Sequence, residues 1–136
     1  MTVEVTAGQV HDSTRFEAVM DQITIAQPIG RPRTRPTRLA GGKGYSARRI
    51  RRWLRAHGIK AIIPQRDDER EGHKGRPIQF NKEAYRRRSI IEQCIGWLKE
   101  CRRIATRFEK LAINFVAMVK LAIIDRYLRV AFSDRA

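Results

Sequence analysis

Four residues of the second half of the chain carry chemistry at a helical spacing: Tyr85, Arg88, Glu92 and Lys99. On one helix, at about 100° per residue, they project within an arc of about 60°. Cations beside an aromatic ring are the side chains that meet a nucleic-acid backbone. Arg88 and Glu92 are also an i,i+4 pair of the kind many exposed helices carry. The spacing alone leaves both readings open. A second candidate is the passage Leu39 to Ser46, a strand running through Gly41-Gly42-Lys43-Gly44 into a helix. Backbone N–H groups at such a turn can meet an anion. It is not a Walker A loop, because Gly44 follows Lys43 where Ser or Thr is needed, and Thr37 stands where the first glycine belongs. His11, His57 and His73 show no metal-ligand spacing with one another or with the cysteines, and read as surface or capping residues. No hydrolytic triad can be assembled.

The charge of the whole chain supports a polyanionic partner. Its 136 residues hold 29 Lys and Arg against 14 Asp and Glu, a formal charge of +15. Residues 1–30 are net −3, whereas residues 31–60 carry eleven bases and no acid, and residues 81–110 are net +5. Eleven uncompensated cations in thirty residues repel one another unless a polyanion is near. The bland alternative is a solvated basic surface. Arginines interleaved with structural signals, in place of a plain lysine tail, favour nucleic acid. An apolar fraction of 42% is enough for a core and argues against wholesale disorder. No run of about 20 apolar residues suggests a membrane span. The first residues carry neither a basic segment nor an apolar one, so no secretory signal is expected. Cys94 and Cys101, seven apart on a helix, would sit about 10 Å from each other. That exceeds the roughly 7 Å reach of a disulfide, and a reduced, cytoplasmic compartment is the economical reading.

These residues need elements to hold them. Val3, Val5 and Ala7 alternate with polar neighbours, which predicts a strand over 2–7. Asp12 or Ser13 can cap a helix over 14–22 with Phe16, Val19, Met20 and Ile23 on one face. Three prolines between 27 and 36 make that stretch a loop. Arg38-Leu39-Ala40 reads as a short strand, Ser46 as the N-cap of a helix ended by Gly58, and Ile59–Ile63 as a strand stopped by Pro64. Residues 64–80 read as a polar, acid-bearing loop. Asn81 caps a long helix to about Arg103, with Ile91, Cys94, Leu98, Cys101 and Ala105 on a core-facing stripe roughly 140° from the charged face. A final helix over 111–130 is apolar nearly all round and belongs in a core or an interface, with the core preferred. The order is an α/β alternation within one domain, residues 1–136, without internal repeats.

Tyr85-x2-Arg88-x3-Glu92-x6-Lys99 resembles the YREK signature of bacterial insertion-sequence transposases of the insertion-sequence-five type, a DDE class. Residues Thr6–Ser13, Gly41–Ser46, Arg103–Lys110 and Asn114-Phe115 resemble flanking blocks of that family, in the same order. The resemblance implies a ribonuclease-H-like α/β fold with a C-terminal helical pair, and metal-dependent DNA cleavage and strand transfer in transposition. Three carboxylates would hold two Mg²⁺ ions. Glu92 would be the third of them and the catalytic metal ligand. Tyr85, Arg88 and Lys99 would contact DNA or orient the site, and Lys43, Arg48, Arg49 and Arg52 would meet phosphates.

The chain departs from that pattern in two ways. Gly42 stands where the family has Asp directly before Lys43, and the block carrying the first Asp lies upstream of Met1. The first two strands of the sheet are expected to be missing as well. One carboxylate cannot supply the oxygen ligands of two Mg²⁺ ions, so a working two-metal site is not expected here. The favoured expectation is a catalytically inactive C-terminal portion of a transposase that still binds DNA. The alternative is a non-enzymatic basic DNA-binding protein that pairs with and restrains an intact transposase. Partners would be DNA and, for either reading, a second copy or a full-length or upstream transposase fragment.

Overall fold

The computed structural model describes residues 2–71 and 78–133. It forms two compact units, residues 6–88 together with Thr2, and residues 89–133 together with 3–5.

The first unit is built on a β-α-β passage. Strands β1 (Arg38–Ala40) and β2 (Lys60–Ile62) pair in parallel, with Leu39 opposite Ala61. Parallel strands need a crossover, and helix α2 (Arg48–Ala56) supplies it. Gly58 ends α2 at φ +68°, a conformation an L side chain resists, which is why the chain can turn straight into β2. Ile50 and Leu54 of α2 are fully buried, and with Phe16, Met20, Ile59 and Ile63 they make the core. Phe16 and Met20 come from helix α1 (Phe16–Asp21), which follows a 3₁₀ turn at Asp12–Arg15. Phe16 meets Trp53 edge to face at 5.4 Å, a favoured aromatic geometry.

Several elements depart from the sequence reading. Residues 2–7 form no strand, since a ladder needs a neighbour and none is described beside them. The 3₁₀ turn is capped by His11, whose Nδ1 accepts from the Ser13 backbone N–H at 3.2 Å, and not by Asp12 or Ser13. Ser46 does not cap α2; Ala47 holds that place, and Ser46 is buried with its hydroxyl donating to Glu69 Oε1 at 3.0 Å. That acceptor belongs to helix α3 (Asp67–Glu71), so part of the expected acidic loop is helical. Acids in its first turn suit the positive end of a helix. The remainder of that loop, with His73, lies largely outside the described residues.

The long helix expected from Asn81 is broken. Asn81 does cap helix α4 (Lys82–Arg86), its Oδ1 accepting from the Ala84 N–H at 2.8 Å. The Arg88 N–H then bonds the Tyr85 carbonyl at 2.9 Å, an i→i−3 bond that tightens the turn and ends the helix. Three successive arginines, Arg86 to Arg88, stand at that break.

The second unit contains α5 (Ser89–Glu100), a short α6 (Arg102–Ala105) and α7 (Ala112–Phe132). After α6, Arg107 takes the left-handed conformation at φ +47°. The Phe108 N–H reaches the Arg103 carbonyl at 2.9 Å and the Arg107 N–H reaches Ile104 at 3.0 Å, a Schellman closure built on a residue other than glycine. The stripe expected to face a core is not buried: Ile91, Cys94 and Ala105 are exposed, and only Leu98 and Cys101 are half-buried. Cys101 and Ala105 also lie beyond the end of α5, so one helix no longer carries the stripe. Both cysteines are free thiols. The last helix likewise is no core helix; Val119 is its single buried residue among those described. No helix among the described residues is long and apolar enough to cross a membrane.

Candidate nucleic-acid interface

Helix α2 sorts its five arginines by position. Taking Arg48 as zero, Arg52 and Arg55 fall within an arc of about 60° at 100° per residue, while Ile50 and Leu54 lie on the far side. Burial of that far side fixes Arg48, Arg52 and Arg55 as an exposed row. Among the described residues none of the three makes an ion pair. Their charge is therefore offered to solvent.

The other two arginines have partners within the chain, Arg49 while still exposed and Arg51 half-buried. Arg49 Nη1 contacts Glu17 Oε1 at 2.6 Å and Nη2 donates to the Ser13 carbonyl at 2.8 Å, tying α2 to the α1 region. Arg51 is half-buried; its Nε donates to the Ser46 carbonyl at 3.0 Å and Nη2 to the Ile63 carbonyl at 2.9 Å. Burial lowers the Arg51 pKa and the Glu69 carboxylate pushes it back up. A guanidinium with such a high starting value stays charged and acts as a strap across the end of β2.

Lys43 opens a 3₁₀ turn at Lys43–Tyr45 and is exposed, but its Nζ lies 3.1 Å from Asp67 Oδ2 of α3. Tyr45 in the same turn packs against Phe16. Burial, and secondly the charge of Asp12, raises its phenol pKa. Further basic residues, Arg31, Arg33, Arg35 and Arg38, are exposed along the proline-rich stretch before and into β1. An antiparallel bridge between Ile25 and Arg33 holds that stretch in place.

The four residues first singled out do not share one helix. Tyr85 sits on α4, packed against Phe80 at 5.1 Å, and Arg88 sits in the turn that follows, its guanidinium 5.8 Å from the Tyr85 ring centre. Glu92 and Lys99 are exposed on α5, seven residues and thus about two turns apart, on one side of it. The first pair belongs to the first unit and the second pair to the second unit. Arg88 does reach the glycine turn: a β-carbon on Gly42 would lie 3.6 Å from its Nη2.

Arg55 escaped the sequence reading, although its i+7 spacing from Arg48 was visible. The structural duties of Arg49 and Arg51 could not be read locally, because their partners lie up to 36 residues away. No three His, Cys, Asp or Glu side chains among the described residues converge to hold a metal ion.

The model of the family described as "Transposase DDE domain" matches residues 1–124. The chain is also 31% identical, over 117 residues, to a Burkholderia cepacia protein described as a transposase for insertion sequence element IS402. That similarity covers 85% of this chain and 51% of the relative, so the chain spans about half of its length. No solved structure matches the chain. With its family model matched over nearly all of its length, the chain belongs to the transposase DDE domain family.

Proposed function

We propose that the chain is a portion of a DDE transposase of the insertion-sequence-five type that binds DNA through the cationic face of α2 and does not cleave DNA by itself. The observation that carries this reading is the row Arg48, Arg52 and Arg55, exposed and without ion pairs among the described residues. Phosphate contacts of such a row give affinity without base readout. The parallel pair β1 and β2, joined by α2, supports reading the first unit as part of a ribonuclease-H-like sheet. Tyr85, Arg88 and Lys99 are read as further DNA contacts and Glu92 as the residual catalytic carboxylate, on the strength of the YREK spacing.

A divalent metal, Mg²⁺ in the family reading, would polarise the scissile phosphodiester and activate its attacker. The residues present do not fit two such ions. Gly42 occupies the position of the second carboxylate, and no three-ligand cluster is formed among the described residues. No step of the reaction is therefore assigned to this chain.

The test is a comparison of two variants in duplex DNA binding. Arg48→Glu combined with Arg52→Glu and Arg55→Glu should abolish most of the affinity at moderate salt. Arg49→Gln, which removes an equally basic residue already paired with Glu17, should change it little. Equal losses from both variants would contradict the assignment.

A further inference from the structure

The end of α2 carries aromatic rings as well as arginines. Trp53 and His57, about one turn apart, stack with ring centres 3.7 Å from each other at an interplanar angle of 18°. The His57 Nδ1 lies 2.8 Å from the Trp53 carbonyl, which can only accept, so Nδ1 carries the hydrogen and the ring is held in place. Phe16 braces Trp53 from the core. Both stacked rings are half-buried and line an open cavity of about 400 Å³, completed by Glu17 of α1 and by Arg49, Arg52 and Ala56 of α2. That volume falls within the range of small-ligand sites, about 300–1,000 Å³.

The groups around the rings narrow the class of ligand. Arg52 belongs both to this cavity and to the exposed row of Arg48, Arg52 and Arg55, so a nucleic-acid strand tracked by the row passes the cavity mouth. Stacked rings accept any base, because every base has a π-face. A carboxylate is selective. Glu17 is half-buried, and its carboxylate has about four acceptor positions, one of which takes the Arg49 Nη1 at 2.6 Å. Adenine, cytosine and thymine each set an acceptor beside the donor on their pairing edge, and a carboxylate repels it. Guanine sets two donors side by side, N1–H and N2–H, which match a carboxylate.

We propose that this cavity receives one unpaired guanine of the bound DNA, stacked on the His57–Trp53 pair. Its N1–H and N2–H donate to Glu17, and Arg52 meets the neighbouring phosphate. In a duplex those donors are engaged by the opposite base, so the guanine reaches Glu17 only when it is out of the stack. The proposal rests on the DNA-binding reading, which itself needs no unpaired base.

Fluorescence-anisotropy titration of the whole chain tests it with three duplexes: one fully paired, one with a single unpaired guanine, and one with a single unpaired thymine. A base already unpaired spares the protein the cost of extruding it. The unpaired guanine should tighten binding about tenfold over the paired duplex, within what stacking one base contributes, and the thymine by less. His57→Ala should remove both gains, whereas His57→Phe, which keeps a ring for the stack, should retain them. His57 lies outside the core, so neither change should alter the helical circular dichroism. Glu17→Gln should abolish the preference for guanine and leave the gain common to both bases. Free guanosine 5′-monophosphate should not compete at similar concentrations; full competition would make the cavity a free-nucleotide site and overturn its assignment to DNA. A parent chain that binds no duplex contradicts the DNA-binding reading and this proposal together. Equal binding of paired and unpaired duplexes, or a guanine preference that survives Glu17→Gln, contradicts this proposal alone.

Discussion

The guanidinium of Arg88 stands 3.6 Å from the point that a β-carbon on Gly42 would occupy. Gly42 has an ordinary extended backbone, φ −72° and ψ 172°, so no conformational demand for glycine exists there. A carboxylate at that position would find a cation already in place. Gly42→Asp should therefore fold, with a melting temperature equal to or above that of the parent. It should show no metal-dependent nicking of supercoiled plasmid with Mg²⁺ or Mn²⁺, since Glu92 and one added carboxylate fall short of a two-metal ligand set. Nicking by the parent chain that disappears in Glu92→Gln would contradict the inactive reading.

How far the sequence alone reaches differs between the two units. Around α2 every cue agrees: the i, i+4 pair Ile50 and Leu54, Gly58 at the stop, and β-branched Ile59, Ile62 and Ile63 in and beside the strand. Those elements formed where the pattern placed them. Local propensity could not anticipate Ser46, because its hydroxyl is claimed by Glu69 of α3, 23 residues on. Nor could it anticipate the break after Arg86, where a continuous periodicity gave no warning of the i→i−3 bond at Arg88. The arc that gathered Tyr85, Arg88, Glu92 and Lys99 assumed one unbroken helix. With the helix broken, only the pairs Tyr85 with Arg88 and Glu92 with Lys99 keep a local relation. For α7, apolarity showed that a face must be covered, but not whether its own unit or another chain covers it.

The Arg49–Glu17 contact joins elements 32 residues apart and can be tested from either end. Both side chains are about half exposed, 54% and 41%, so the ion pair contributes about 0.2–1 kcal/mol. Glu17→Gln should lower stability by that amount in chemical denaturation. Arg49→Ala should cost about 0.5–1.5 kcal/mol more, because the bond to the Ser13 carbonyl is lost as well. Glu17→Gln should also raise affinity for duplex DNA slightly, by releasing Arg49 beside the cationic row.

Tyr45 sets a limit at high pH. Its phenol is held neutral in the folded chain to a higher pH than in the unfolded chain, first by burial and second by Asp12. The unfolded state ionises first, from about pH 10. The contribution of Tyr45 to stability is thus complete below that pH and is lost as pH rises through the folded value. Tyr45→Phe keeps the ring against Phe16 and should flatten the alkaline side of the stability profile. An unchanged alkaline slope in that variant would assign the loss to another group.

The central claim is that the exposed face of α2 binds a phosphate backbone, and the salt dependence of duplex binding tests it most directly. Plotted as log K against log salt, the parent should give a straight line whose slope is about −0.9 for each phosphate neutralised. Combined Arg48→Glu, Arg52→Glu and Arg55→Glu should make that slope shallower by roughly 2.7, three times the single-contact value. A parent slope near zero, or a slope that the triple variant leaves unchanged, would contradict the account.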